Sequence, residues 1–417
     1  MRKLRIGVFG AGRGDTMINI LLSHPDAEVV AICDKYKPLL DKAGKTAEEN
    51  GVKVALFEDF EDFFRYDMDA VVLANYACEH VPFAVRLLES GRHVMSECLT
   101  CASMAQAVQL IEAVEKSGLV YAYAENYCYQ DTTFEMWRAC EEGEIGDILY
   151  AQGEYVHDCS GEWHALTQGD PHHWRNNCFS TFYCTHGIAP VLTMTGLRPV
   201  KVSGFESNCA KYMMECGARD SILGMEIITL ENGAVARCIN GNLRHHNPAG
   251  INSSYIVYGE KGMIESSRYK GCTIEKYTVD GGCTEYTPGK RVEGDLARKF
   301  STHGGADFYP THFFIEKILG NEIGKKYSID VYRAVDMCIC GILAYRSILN
   351  NNMSIEVPDL RDPAQRDRYR NDHACTFAYE AGEQLLPNNS KGVVIGDDAE
   401  CYKIMRERWE ESQRNNC

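Results

Sequence analysis

The stretch Leu4-Arg-Ile-Gly-Val-Phe-Gly-Ala-Gly-Arg-Gly-Asp15 decides the fold. Its first half, Leu4 to Phe9, is an apolar run of the length of a buried strand. It leads straight into Gly10, Gly12 and Gly14, after which Met17, Ile18, Leu21 and Leu22 recur at helical spacing. Strand, glycine turn and helix make a dinucleotide site. Gly10 permits the tight turn, Gly12 lets the backbone approach a pyrophosphate, and the helix N-terminus offers unpaired N–H groups to the phosphates. The spacing departs from G-x-G-x-x-G, because Asp15 stands where the third glycine is expected and Gly14 comes one place early. A second apolar run, Val29-Val-Ala-Ile-Cys33, ends in Asp34, twenty residues after Gly14, where a carboxylate accepts hydrogen bonds from an adenosine ribose. Asp34 points to NAD, and Lys35 beside it leaves NADP as the lesser alternative.

Working outward, the helix and strand signals keep alternating. Asp69-Ala-Val-Val-Leu-Ala74 reads as a third buried strand, and a helix from about His80 to Ser90 follows, with Gly91 as its C-terminal signal. His93 to Ser96 is the next strand. Ser103 with Gln106 then forms a capping box that opens a helix running to Gly118, and Val120 to Ala124 completes the set. This rhythm means a parallel, doubly wound sheet with its ligand crevice beyond the strand C-termini. Residues 1–125 are therefore expected to form an NAD-binding Rossmann domain.

Beyond about residue 146 the texture changes to strands: Asp147 to Val156, Val200 to Phe205, Ile222 to Leu230, Ala234 to Ile239, Ser254 to Tyr258 and Cys272 to Val279. Asn232-Gly233 carries the signal of a tight hairpin, and Asp280-Gly-Gly282 resembles another. Residues 126–417 are expected to form a substrate-binding α+β domain with an open, mainly antiparallel sheet. The helices Thr311 to Leu319 and Val331 to Leu349 would cover one face of it, and a charged tail after Pro358 would wrap the surface.

Composition bounds the function. A chain of 417 residues suggests two domains, and a net charge of −16 argues against nucleic acid or an anionic membrane as partner. No basic n-region and apolar run open the chain, and no window approaches the roughly eighteen apolar residues of a membrane span, so a cytoplasmic protein is expected. The 19 cysteines are scattered without C-x-x-C ladders. They read as small buried hydrophobes in a reducing compartment, and no structural metal is assigned.

Two groups of residues carry candidate chemistry. At the strand ends of the first domain lie Asn75, Tyr76, His80, Glu97, Cys98 and Asn126, where a nicotinamide ribose and ring would rest; His80 could equally make only a local structural hydrogen bond. The second group is Tyr155, His157, Asp158, Trp163, His164, His172, His173, Trp174, Arg175, Tyr183 and His186, titratable and aromatic groups in one non-periodic stretch. They suggest a pocket for a polyhydroxylated ligand, with Trp faces on sugar C–H surfaces and Arg or His on hydroxyls. Their spacing matches neither H-E-x-x-H nor a Cys/His zinc module, and a merely His-rich exposed loop is the plain alternative. His303-Gly-Gly-Ala-Asp307 could add a wall.

The chain resembles the Gfo/Idh/MocA oxidoreductases, and within them the NAD-dependent glycosidases of glycoside hydrolase family 109. The matching motifs are Gly-Ala-Gly-Arg-Gly at 10–14 (Arg13 included), His80-Val-Pro82, Gly91 to Glu97, Ala124-Glu-Asn-Tyr127, Gly153 to Asp158, Tyr183-Cys-Thr-His186 and Arg361-Asp-Pro363. Dehydrogenases of this family carry Glu-Lys-Pro where this chain has Glu97-Cys98-Leu99, and an Asp where it has Phe182. The glycosidase branch also lacks the lysine. Cys98 reads as a packing residue, since nothing cationic nearby in sequence would activate its thiol. Ile251 falls near a position where the branch often has a substrate-contacting Tyr. The resemblance implies transient oxidation of a sugar at C3, proton removal at C2, elimination at C1, water addition and re-reduction, with no carboxylate pair at the bond. It implies proton transfer by Tyr183 and His186, hydroxyl positioning by Tyr155 and Arg175 beside Trp174, His157 in reserve, and a homo-oligomer built through the C-terminal sheet. The runner-up is an NAD(P)-dependent sugar or cyclitol dehydrogenase.

Overall fold

The opening strand forms as expected because Leu4–Phe9 (β1) pairs on both sides: in parallel with Ala27–Cys33 (β2) and with Ala70–Leu73 (β4). Ala55–Phe57 (β3), His93–Ser96 (β5) and Tyr121–Tyr123 (β6) complete a parallel sheet of order β3-β2-β1-β4-β5-β6 in this computed structural model. It describes residues 2–245, 251–290, 294–300 and 305–415. The strand order reverses at β1 and β4, so the crevice of a doubly wound sheet opens where the glycine turn leaves β1. The helix Asp15–Ser23 buries Met17, Ile18, Ile20 and Leu21, and the core formed with Ile6, Val8 and Val29 gains roughly 1.5–3 kcal/mol per large side chain removed from water. Ser103 Oγ accepts from the Gln106 N–H at 3.1 Å, and Gly118 ends that helix at φ +64, as the capping pattern predicts.

The sheet of the second unit is mixed. Its strands are Ile148–Val156 (β7), Pro199–Glu206 (β8), Leu223–Leu230 (β9), Val235–Gly241 (β10), Ser253–Gly259 (β11), Gly262–Ser266 (β12), Ile274–Thr278 (β13), Gly282–Tyr286 (β14) and Ile355–Glu356 (β15). They lie in the order β14-β13-β12-β11-β7-β10-β9-β8-β15, with only the β7–β10 pair parallel. Asn232-Gly233 joins β9 to β10, with Gly233 at φ +90 and the Asn232 side chain accepting from the Ala234 N–H. The helix Thr185–Thr195 rides so close to β7 that a Cβ on Gly153 would stand 2.0 Å from the Gly187 carbonyl oxygen.

Contacts divide the chain differently from a single cut at 125. One compact unit takes the residues up to Phe134 with Gly289–Val335 and Leu360–Asn371; the other takes Glu135–Pro288, Asp336–Asp359 and the residues from Asp372. The helix expected at Thr311 to Leu319, observed at Phe308–Ile318, accordingly does not cover the mixed sheet. Phe314 and Ile315 pack into the Rossmann core with Ile18, Leu21 and Met95. The helix Val331–Leu349 does reach the mixed sheet, where Ser347 Oγ accepts from the Gly204 N–H of β8 at 3.0 Å. The Arg361-Asp-Pro363 motif anchors the tail: Asp362 caps the helix Pro363–Arg366, and buried Arg366 grips Glu115 through both terminal nitrogens at 2.5 and 2.6 Å. No helix among the described residues is long and apolar enough to cross a membrane, and the described cysteines are all free.

Candidate functional site

In the Rossmann unit the glycine turn is shaped partly by its own backbone and partly for something above it. Gly10, at φ +101, would place a Cβ 2.3 Å from the Ala74 carbonyl, and a Cβ on Gly14 would lie 2.1 Å from the Gly10 oxygen. A Cβ on Gly12 would meet only Leu39, at 3.6 Å. The fold itself does not demand glycine there, and an approaching phosphate does. The helix that follows has no side-chain cap, which leaves its first N–H groups to an anion. Asp34 accepts from the Ala11 N–H at 2.7 Å and the Tyr36 N–H at 2.8 Å, so the carboxylate is held at the tip of β2 with lone pairs to spare for a ribose diol. Lys35 Nζ sits 4.3 Å from the centre of the Tyr76 ring. The Asn75 side chain, just past β4, lies beside Glu79 and hydrogen-bonds its carboxyl. Bare turn and acid at β2 fit a dinucleotide.

Arg13 pairs with two carboxylates. Its guanidinium lies 2.8 Å from both Glu97 and Asp307, and the Asn126 amide donates to the same Asp307 oxygen at 2.8 Å. Burial opposes the guanidinium charge, but these two carboxylates outweigh it and raise its pKa. His303 and Gly304 lie outside the described residues; of that expected wall Gly305, Ala306 and Asp307 are observed, and none of the three lines the pocket of the second unit. Cys98 is buried, and its thiol donates to Glu125 at 3.2 Å. Burial first, then Glu125 and Glu97, push its pKa well up, which makes it a neutral donor and no nucleophile. His80 is buried with Nδ1 at 2.8 Å from the Leu99 carbonyl and Nε2 at 3.2 Å from the Asn75 carbonyl, the local structural arrangement. Burial lowers its pKa.

In the second unit the aromatic and His residues converge. β7 presents Tyr155 and ends just before His157; Tyr183 stands two residues before the helix Thr185–Thr195, whose first turn carries His186. The Tyr155 and His186 rings meet edge to face at 4.6 Å, and Tyr183 and His186 at 4.9 Å. Tyr155 OH and His157 Nδ1 are 3.0 Å apart. Burial lowers the pKa of His157, so near neutrality it is an uncharged partner for that phenol. The Tyr255 hydroxyl donates to the His186 carbonyl at 2.6 Å and locks the first helical turn. Arg175 lies over Trp174 at 4.4 Å and Tyr183 at 5.1 Å. The pocket is lined by Tyr155, His157, Trp163, Trp174, Arg175 and Tyr183.

Other members of the cluster hold this loop in shape. Buried His173 caps the turn Trp174–Asn177 by accepting from the Arg175 N–H, and Trp163 donates to Asn176 at 2.8 Å. His172 is exposed, and neither it nor His164 lines the pocket. Sequence reasoning missed Asp220, Ser221, Asn240 and Asn242, which also line it. Asn240 had a signal: it stands at the inward register of β10 after Ala236 and Cys238, a polar residue where the alternation demands an apolar one.

Comparison with known proteins bears on the fold and the family. Residues 4–125 match the model of the oxidoreductase family with an NAD-binding Rossmann fold, and residues 290–365 match that of the glycosyl hydrolase 109 C-terminal domain. A glycosyl hydrolase family 109 protein of Saccharopolyspora erythraea is 26% identical over 89% of this chain and 85% of its own length. Glycosyl hydrolase family 109 protein 4 of Phocaeicola vulgatus is 24% identical over 86% of this chain and 78% of its own. Among solved structures, levoglucosan dehydrogenase in complex with NADH and L-sorbose superposes with a TM-score of 0.69 at 17% identity, over 86% of this chain and 100% of that one. Apo scyllo-inositol dehydrogenase from Lactobacillus casei gives 0.66 at 18% identity, over 87% and 99%. These two share its fold. Residues 4–125 are thus the NAD-binding Rossmann domain of the Gfo/Idh/MocA oxidoreductase family and residues 290–365 the glycosyl hydrolase 109 C-terminal domain, the pairing of an NAD-dependent enzyme.

Proposed function

We propose that this enzyme cleaves glycosides by a redox-assisted route with NAD recycled in every turnover, as the family 109 relatives' name suggests. The observation that carries the reading is the ring-to-ring packing of Tyr155, Tyr183 and His186, with the two tyrosines and Arg175 lining one pocket and His186 packed behind them. Gly10, Gly12, Gly14, Asp34, Asn75, Tyr76 and Asn126 would hold the dinucleotide, with Arg13, His80, Glu97 and Cys98 bracing the floor beneath it. When bound, NAD⁺ supplies an acceptor for hydride from C3 of the sugar. The chain's own residues move protons: Tyr183 and His186 take those from the C3 hydroxyl and from C2, which the neighbouring ketone acidifies, and protonate the leaving group at C1. Tyr155, backed by His157, and Arg175 hold hydroxyls, while Trp174 packs against the sugar face. No pair of flanking carboxylates is required.

Asp34 favours NAD over NADP, because a carboxylate repels a 2′-phosphate. Free thiols throughout the described chain suit a reducing cytoplasm. The outer face of the mixed sheet leaves Phe205, Val235 and Tyr258 about 40% exposed, and a homo-oligomer through that face would cover them. The runner-up, a sugar or cyclitol dehydrogenase, is weakened by Cys98 where such enzymes carry lysine. Incubation of the NAD-loaded protein with a panel of aryl glycosides separates the two. Aglycone release without net NADH is expected; NADH accumulating in step with substrate loss would establish the dehydrogenase instead.

A further inference from the structure

The pocket wall beyond the catalytic cluster has an unbalanced hydrogen-bond inventory. Asn240 is 4% exposed and is the cross-strand partner of Tyr155 in the β10–β7 register, so whatever lies against Tyr155 also meets it. Its Nδ2 donates to the Ser180 carbonyl at 2.8 Å, which fixes the amide orientation, since a flipped amide would set two oxygens face to face. That leaves Oδ1 buried with no hydrogen-bond partner among the described residues. Asp220 lines the same pocket, recessed from solvent, and its own backbone N–H is the donor it has. Nearby donors are committed elsewhere: the Ser180 hydroxyl to Glu206 at 2.7 Å, the Trp163 indole to Asn176 at 2.8 Å. Arg175 lies over the Trp174 and Tyr183 rings, with its N–H groups left for the ligand hydroxyls assigned to it above.

Resting on the glycosidase reading above, we propose that Asp220 and Asn240 form a donor-reading subsite that selects neutral or amino sugars, through their hydroxyl or amine hydrogens, and rejects uronic acids. Asn240 Oδ1 needs a donor from the ligand, and the Asp220 carboxyl can accept a second. A carboxylate brings none and would face Asp220 as a like charge; the Arg175 cation lining the same pocket pulls the other way, and the binding ranking decides between them. Burial pushes the Asp220 pKa up to about 7. A bound amine or hydroxyl pair would stabilise its ionised form, and a uronate would oppose it.

The test is calorimetric titration of the NAD-loaded protein with paired monosaccharides: glucose, glucosamine and glucuronate, then the galacto-configured set. The neutral and amino sugars of at least one set should bind at least tenfold more tightly than the uronate. Asp220→Asn should narrow that gap, and Asn240→Ala should weaken the neutral sugars about tenfold, with NAD affinity unchanged in both. Equal or tighter binding of the uronate, no binding by any member of either set, or a gap untouched by Asp220→Asn would overturn the proposal. Should a variant fail to fold, the wild-type ranking alone decides. Correct ranking without glycoside cleavage would fault the glycosidase reading and leave the subsite standing; cleavage of uronides as readily as hexosides would do the reverse.

Discussion

At the ends of β1 and β5, Glu97 and Asp307 are buried together and share one guanidinium, Arg13, at 2.8 Å each. In the second unit, half-buried Asp220 and fully buried Glu226 meet no cation among the described residues, and Glu226 is 0% exposed with both oxygens unpartnered. The same side-chain chemistry thus meets a cation in one unit and none in the other. At the Rossmann strand ends the two carboxylates keep Arg13 charged, although burial, ahead of Arg13's opposing pull, still raises the pKa of Glu97. Burial without pairing makes Glu226 a neutral acid, and brings Asp220 close enough to neutrality for a ligand to decide its state. A cation held in place suits a dinucleotide shared by every turnover, and an undecided wall suits recognition of a particular substrate.

The largest effect that would sharpen this contrast lies in the second unit. Tyr183→Phe or His186→Ala should cut aglycone release by about 10²–10⁴-fold, the usual worth of a positioned acid or base, while NAD still binds. Equal loss of NAD binding would mean that the two functions do not divide in this way. Next is Arg13→Met, which strands two carboxylates. Breaking a buried pair costs about 3–5 kcal/mol, and the lower end applies because the Arg13 side chain is 33% exposed. Arg13→Lys should recover part of the loss in a denaturant titration; an unchanged midpoint for Arg13→Met would remove the cluster from the account.

The smallest effect concerns Glu226. Its folded pKa lies well above the ordinary 4.5, chiefly through burial. The native state keeps the proton while the unfolded chain loses it, so stability is full below about pH 4.5 and erodes as pH rises toward the folded value. Glu226→Gln should therefore raise Tm by several degrees at pH 8 and hardly at all at pH 4.5. Equal shifts at both would contradict an unpaired acid.

How much could be read beforehand differs between these regions for physical reasons. The β1 turn and Asp34 were legible because Gly10 and Gly14 answer to backbone collisions that any side chain would cause. β3 was missed because Ala55–Phe57 is three residues long and not fully buried, and β14 because Gly282–Tyr286 is nearly all exposed, so neither leaves an apolar run. The helix Phe308–Ile318 was assigned to the wrong layer because an apolar face records that a helix is buried, never against what. Tyr155, Tyr183 and His186 stand out in sequence by their density, and the structure packs their rings together. Arg13's partnership with Asp307 spans 294 residues and no local pattern could announce it. Asn240 and Glu226 break the inward alternation of β10 and β9 and were available to a stricter reading of those strands.

The central claim is that cleavage proceeds through a transient ketone beside the C2 proton. The most direct measurement is turnover of an accepted aryl glycoside in deuterated water, with the released sugar analysed by NMR. Deuterium at C2 in every product molecule, with no net NADH, is the predicted result. Released sugar with its original hydrogen at C2 would contradict it.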